Sequence, residues 1–131
     1  MIKKLFVYGT LQLPEITQRV VGCEFETLPA VLSGYRCGLV QRADFPGIVP
    51  CAESVVKGAL LHDLSPQQIA CLDRYEGELY QRIQVHVKVD AEFQLAWVYS
   101  IVPWARGRVS KIPWSIGWYR TQSRKPRLTY R

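Results

Sequence analysis

The stretch Leu72-Asp73-Arg74-Tyr75-Glu76-Gly77-Glu78-Leu79-Tyr80-Gln81-Arg82 puts a carboxylate where stability alone would not. The pattern predicts a helix that stops at Gly77 and a strand that follows it, with Glu76 in the last helical turn. There the side chain meets the negative end of the helix dipole, a position that favours Lys or Arg. A Glu kept against that preference is suited to moving protons. The plain alternative is an acidic group in a solvated turn, paired with Arg74 or Arg82. A second stretch, Leu5-Phe6-Val7-Tyr8-Gly9-Thr10-Leu11, offers a complementary group. A strand that ends at Gly9 leaves backbone N–H groups without ladder partners, and Gly9 admits a close approach. Such a loop is a small anion site fit for a carboxylate, or else an ordinary Gly-Thr turn.

The elements that must position these groups follow from the chain pattern. Lys3–Tyr8 reads as a short buried strand. Pro14 opens a helix that Gly22 closes, with Ile16, Val20 and Val21 as its apolar stripe. Ala30–Val40 is strand material interrupted at Ser33-Gly34. Asp44–Pro50, with two prolines and a glycine, reads as a turn or sheet-edge segment. Val55–His62 is the next strand, and Gly58 marks a bulge or a close neighbour. Ser65-Pro66-Gln67-Gln68 is a helix start with a capping box. Ile69 and Leu72 face the core, and the seven-residue step from Ile69 to Glu76 brings Glu76 near that same face. Partial burial there and the helix end would both raise the pKa of Glu76.

Tyr80–Val89 alternates, with Ile83, Val85, Val87 and Val89 on one face and Arg82, Gln84, His86 and Lys88 on the other. His86 is therefore a solvated strand residue. Asp90-Ala91-Glu92 turns the chain, and Leu95, Trp97, Tyr99 and Ile101 alternate on the way back, which makes an antiparallel hairpin. Arg82 is expected in a cross-strand ion pair. After Pro103 no pattern holds. Many short strands with few helices predict an α+β fold, a mixed β-barrel with flanking helices.

The 131 residues, 48% hydrophobic and 21% charged, fit a single domain spanning residues 1–131. No apolar run approaches the ~20 residues of a membrane span, and the N-terminal run is too short for a signal peptide, so no membrane role and a cytoplasmic setting are expected. Cys23, Cys37, Cys51 and Cys71 show no metal-ligand or redox spacing and read as free thiols, so no metal site is expected. The +6 net charge is uneven. Residues 93–131 hold eight Arg and Lys and no Asp or Glu, so residues 1–92 sum to −2 (+6 − 8). Residues 104–131 thus form a basic, aromatic C-terminal extension. Its charge motivates a nucleic-acid reading, but no recognition-module signature accompanies it and nucleic acid is not expected as a partner.

The motifs taken in order, Tyr8-Gly9-Thr10-Leu11, Phe45-Pro46-Gly47-Ile48-Val49, Val56-Lys57-Gly58-Ala59-Leu60, Leu72-Asp73-Arg74-Tyr75-Glu76-Gly77, Tyr80-Gln81-Arg82 and Trp97-Val98-Tyr99, resemble the gamma-glutamylcyclotransferase-like superfamily. The resemblance runs from about Lys3 to Ile101. It implies a mixed barrel with a pocket between the Tyr-Gly-Thr-Leu loop and the acidic turn. It also implies a reaction in which a γ-glutamyl amine or peptide closes on itself, giving 5-oxoproline and a free amine without any cofactor. Glu76 matches the family's catalytic Glu. Tyr8, Gly9, Thr10 and Leu11 would hold the substrate, a small molecule with a free α-amino acid end, with Tyr80 and Tyr99 as further candidates. The competing expectation is a domain of the same fold that binds a small carboxylate without turning it over. The leaving amine and the oligomeric state stay open.

Overall fold

The structure, a computed structural model, describes residues 1–122. Five strands are formed by β1 (Leu5–Val7), β2 (Thr27–Leu39), β3 (Pro46–Leu61), β4 (Tyr80–Val89) and β5 (Glu92–Ile101). Helix α1 (Pro14–Val21) follows β1 through a 3-10 turn at Thr10–Gln12, and α2 (Pro66–Glu76) joins β3 to β4. A 3-10 segment, Pro103–Arg108, and helix α3 (Ile116–Gln122) follow β5. The strands close in the order β1-β3-β2-β4-β5. All pairs are antiparallel except β1 with β5, so the barrel is mixed and of the α+β class. No helix of the described residues is long and apolar enough to cross a membrane.

Alternation in the strands produces two apolar layers. Phe6, Leu32, Ile48, Val56, Leu60, Val85, Val87 and Val98 fill the barrel interior. Their sequence neighbours point outward, where Leu5, Val7, Val49, Leu61, Tyr99 and Ile101 pack against Leu11, Ile16, Ile69 and Leu72 from the helical side. On β5 the interior takes Ala96 and Val98. The row Leu95, Trp97, Tyr99 and Ile101 is the outer one, buried at Tyr99 and Ile101 and exposed at Leu95. Period two gives the rows, but a barrel packed on both faces lets either be the inner one.

Two sequence expectations change. Asp44–Pro50 is not a separate turn or edge, because Pro46 begins a strand that runs unbroken to Leu61. Pairing with β1 is confined to Ala59–Leu61, so Pro46 and Pro50 lie where β3 has only β2 beside it and interrupt no second ladder. Glu92 opens β5, which leaves Asp90 and Ala91 as the turn, with Asp90 at φ 55°. Ser33-Gly34 does mark an irregularity. The β2–β3 register shifts there and Gly34 sits at φ 87°, while the strand continues.

The chain beyond Pro103 is tied to the end of β2. Arg36 donates to the Ser110 carbonyl at 2.9 Å and the Val109 carbonyl at 3.2 Å, and Val40 bridges Val109. Trp114 and Tyr119 are buried in the outer layer, and Trp114 Nε1 donates to the Asp44 carbonyl at 3.0 Å. Of the basic residues, Arg106, Arg108, Lys111 and Arg120 are exposed, whereas Arg124, Lys125, Arg127 and Arg131 lie outside the described residues.

Two substitutions test these contacts. At Gly58 a Cβ would run into the Val7 carbonyl oxygen and come within 2.9 Å of the Phe6 ring. Gly58→Ala should therefore lower stability by about 1–3 kcal/mol, read as a drop in the denaturant midpoint. Trp114→Ala should cost about 3–5 kcal/mol, since a buried aromatic and its hydrogen bond are both removed. A midpoint within error of the parent would show that residues 103–119 only lie on the barrel.

Candidate active site

The Glu76 side chain is positioned by both ends of its helix. At the start, Ser65 Oγ accepts from Gln68 N at 3.1 Å and Ser65 N donates to Gln68 Oε1 at 2.8 Å, the reciprocal cap expected of Ser-Pro-Gln-Gln. Ile69 and Leu72 dock the helix on the barrel wall. At the far end Gly77, at φ 77°, donates its N–H to the Asp73 carbonyl at 3.1 Å and turns the chain toward β4. Glu76 is the last residue of α2. It is half-buried, and its Oε2 is covered.

A cleft opens where α2 ends, with an empty volume of about 350 Å³ that includes its solvent-open part. Tyr8, Gly9, Thr10 and Leu11 form one wall, Glu76 another, and Tyr80 and Tyr99 contribute from β4 and β5. All seven residues singled out from the sequence therefore face one space. Gly9 lies against Pro46, whose Cγ would be 3.1 Å from any added Cβ. Within the loop, Gln12 and Leu13 donate to the carbonyls of Gly9 and Thr10 at 3.1 and 2.9 Å. The amides of Gly9, Thr10 and Leu11 head this 3-10 turn, and the first amides of a helical turn have no partner within it.

The phenols of the cleft are anchored. Tyr8 donates to the Tyr99 carbonyl at 2.6 Å, Tyr80 donates to the Pro46 carbonyl, and Tyr99 donates to Asp73 Oδ1 at 2.7 Å. Asp73 is gripped in turn by Arg82, with Nε to Oδ1 at 2.9 Å and Nη2 to Oδ2 at 3.2 Å. The Arg82 guanidinium stacks on Trp97, 4.1 Å from the ring centre. Burial, the hydrogen bond to Asp73 and the charges of Asp73 and Glu76 all push the Tyr99 phenol above its ordinary range, and Arg82 pulls the other way.

Arg82 corrects the expected cross-strand pair. Its partner lies on the helix, because the turn at Gly77 folds the end of α2 back over the start of β4. Asp73 was not singled out as a site residue. The signal lay in the register that sets Arg82 opposite Tyr99 on β4 and β5, which together reach the same carboxylate. His86 is exposed, as its strand parity requires.

Residues 5–119 match the family described as gamma-glutamyl cyclotransferase, AIG2-like. Protein AIG2 A of Arabidopsis thaliana is 31% identical over 101 residues, which cover 77% of this chain and 59% of that protein. The chain spans about half the length of the curated relatives it matches. A solution structure from Arabidopsis thaliana superposes with a TM-score of 0.77 at 25% identity, covering 93% of this chain and 74% of the other. A structure described as gamma-glutamyl cyclotransferase has a TM-score of 0.68 at 16% identity, covering 76% of this chain and 66% of the other, a likeness of fold. The match over residues 5–119, on a closed mixed barrel whose cleft joins the Tyr8–Leu11 loop to Glu76, shows that the chain belongs to the gamma-glutamyl cyclotransferase, AIG2-like, family.

Proposed function

We propose that the cleft cyclises a γ-glutamyl amine or peptide to 5-oxoproline and a free amine. The observation that carries this reading is the half-buried Glu76 carboxylate across one small cleft from the Tyr8–Leu11 loop. The substrate carboxylate would lie on the amides of Gly9, Thr10 and Leu11. That anchor folds the five-carbon chain so that its own α-nitrogen meets the γ-carbonyl carbon, and the attack is intramolecular.

As the new C–N bond forms, the α-ammonium gives up two protons. As the old C–N bond breaks, the departing nitrogen takes up two and leaves as an ammonium ion. Atoms and charge balance without water. Glu76 acts as base toward the attacking nitrogen and then as acid toward the leaving one. Each carboxylate oxygen needs only to alternate between accepting and donating, so one residue serves both steps.

Glu76→Gln should fold and bind ligand but lose turnover by about 10²–10⁴-fold or more. Stability should hold or rise slightly, by a few tenths of a kcal/mol, as a charge leaves the helix C-terminus. The measurement is 5-oxoproline release from a panel of γ-glutamyl amines, with melting curves for both proteins. A variant at parental rate would remove Glu76 from the chemistry. A parent that binds carboxylates but turns over nothing on the panel would leave a binding domain.

A further inference from the structure

A phenol has one proton to give and lone pairs to receive with. In this cleft all three protons are directed at protein acceptors: Tyr8 to the Tyr99 carbonyl, Tyr80 to the Pro46 carbonyl and Tyr99 to Asp73. Tyr99 is the most firmly set, because its acceptor is a charge held from behind. Arg82 grips both Asp73 oxygens, and Trp97 backs Arg82. The Tyr99 phenol is also held protonated by its surroundings, so the direction of that bond persists over the working pH range. Asp73 does not line the cleft.

We propose that Asp73 is a positioning residue that makes Tyr99 a hydrogen-bond acceptor toward the cleft, so that Tyr99 and Glu76 together select the protonated α-amine of an amino-acid ligand. This rests on the reading of the cleft as a γ-glutamyl site. A wall of phenol lone pairs and a carboxylate attracts N–H donors that carry positive charge and opposes a carboxylate. The Gly9–Leu11 loop has the opposite preference. The two walls therefore orient an α-amino acid one way round, with its ammonium beside the group proposed to deprotonate it. A phenol free to turn its proton into the cleft would lose that discrimination.

The test uses two probes that share both carboxylates, L-glutamate and glutarate, which lacks only the α-ammonium. Calorimetric titration of the full chain should show L-glutamate favoured by roughly ten- to a hundredfold, the scale of one charged hydrogen bond. Tyr99→Phe keeps the Asp73–Arg82 pair and removes the acceptor. Asp73→Asn offers an N–H to the phenol oxygen and frees its proton to turn. Both should lose most of the preference while glutarate affinity stays within about twofold, since only the ammonium contact is removed. Melting curves establish that each variant is folded, and if Asp73→Asn is not, Tyr99→Phe decides alone.

Equal affinity of the parent for both probes overturns the proposal, as does binding of neither. A folded variant that keeps the preference, or a parallel loss of both probes, overturns it too, because a merely structural role would not touch the ratio. If the preference appears and the variants abolish it, yet no γ-glutamyl amine yields 5-oxoproline, the ammonium wall stands and the cyclotransferase reading falls.

Discussion

Three residues close the barrel. Leu5, Phe6 and Val7 pair with Leu61, Leu60 and Ala59 of β3 on one side, and Leu5 and Phe6 pair with Trp97 and Val98 of β5 on the other. Without them β3 and β5 would each present an unpaired edge, a costly arrangement for strands this apolar. The closure is tight, since Gly58 must lack a side chain for the β1 backbone to come close, and the Phe6 ring fills the space. The same closure delivers Tyr8 and the loop after it to the cleft. The strand that completes the sheet thus also carries one wall of the site, and Tyr8 at its end packs in the interior beside Phe6.

The opposite wall is fixed by different means. Glu76 is held through a helix whose ends are both defined, by a capping box and by a glycine of positive φ, and whose middle is docked by Ile69 and Leu72. The contacts behind the cleft run from Trp97 through Arg82 and Asp73 to Tyr99, and they join α2, β4 and β5 in one polar cluster. A buried or half-buried ion pair adds little net stability, because removing charges from water offsets most of their attraction. Its value here lies in geometry, since a bidentate pair admits few alternative placements of its carboxylate.

Local signals made part of this legible in the sequence. The Ser65–Gln68 cap, the stop at Gly77 and the alternation from Tyr80 to Val89 each depend on chemistry within a few residues. The family motifs likewise brought Tyr8–Leu11, Glu76, Tyr80 and Tyr99 together before the cleft could be drawn. What stayed hidden depended on partners far along the chain. Pro46 and Pro50 look like breakers until it is known that β3 has a single neighbour there. The residues after Pro103 show no period of their own because Trp114 and Tyr119 are buried one at a time against other elements. Asp73 carried no local mark, because its partners Arg82 and Tyr99 lie 9 and 26 positions away.

The Tyr8–Tyr99 hydrogen bond joins residues 91 positions apart, and the β1–β5 pairing spans a similar length. During synthesis the first strand can meet β3 once Ala59–Leu61 has emerged, but its other edge stays open until Trp97 and Val98 of β5 follow. Joining ends so distant is slow, because loop-closure entropy is lost before the contacts that compensate it can form. Local units such as the β4–β5 hairpin and α2 can assemble ahead of it, so the cleft should be among the last features to appear as the nascent chain matures.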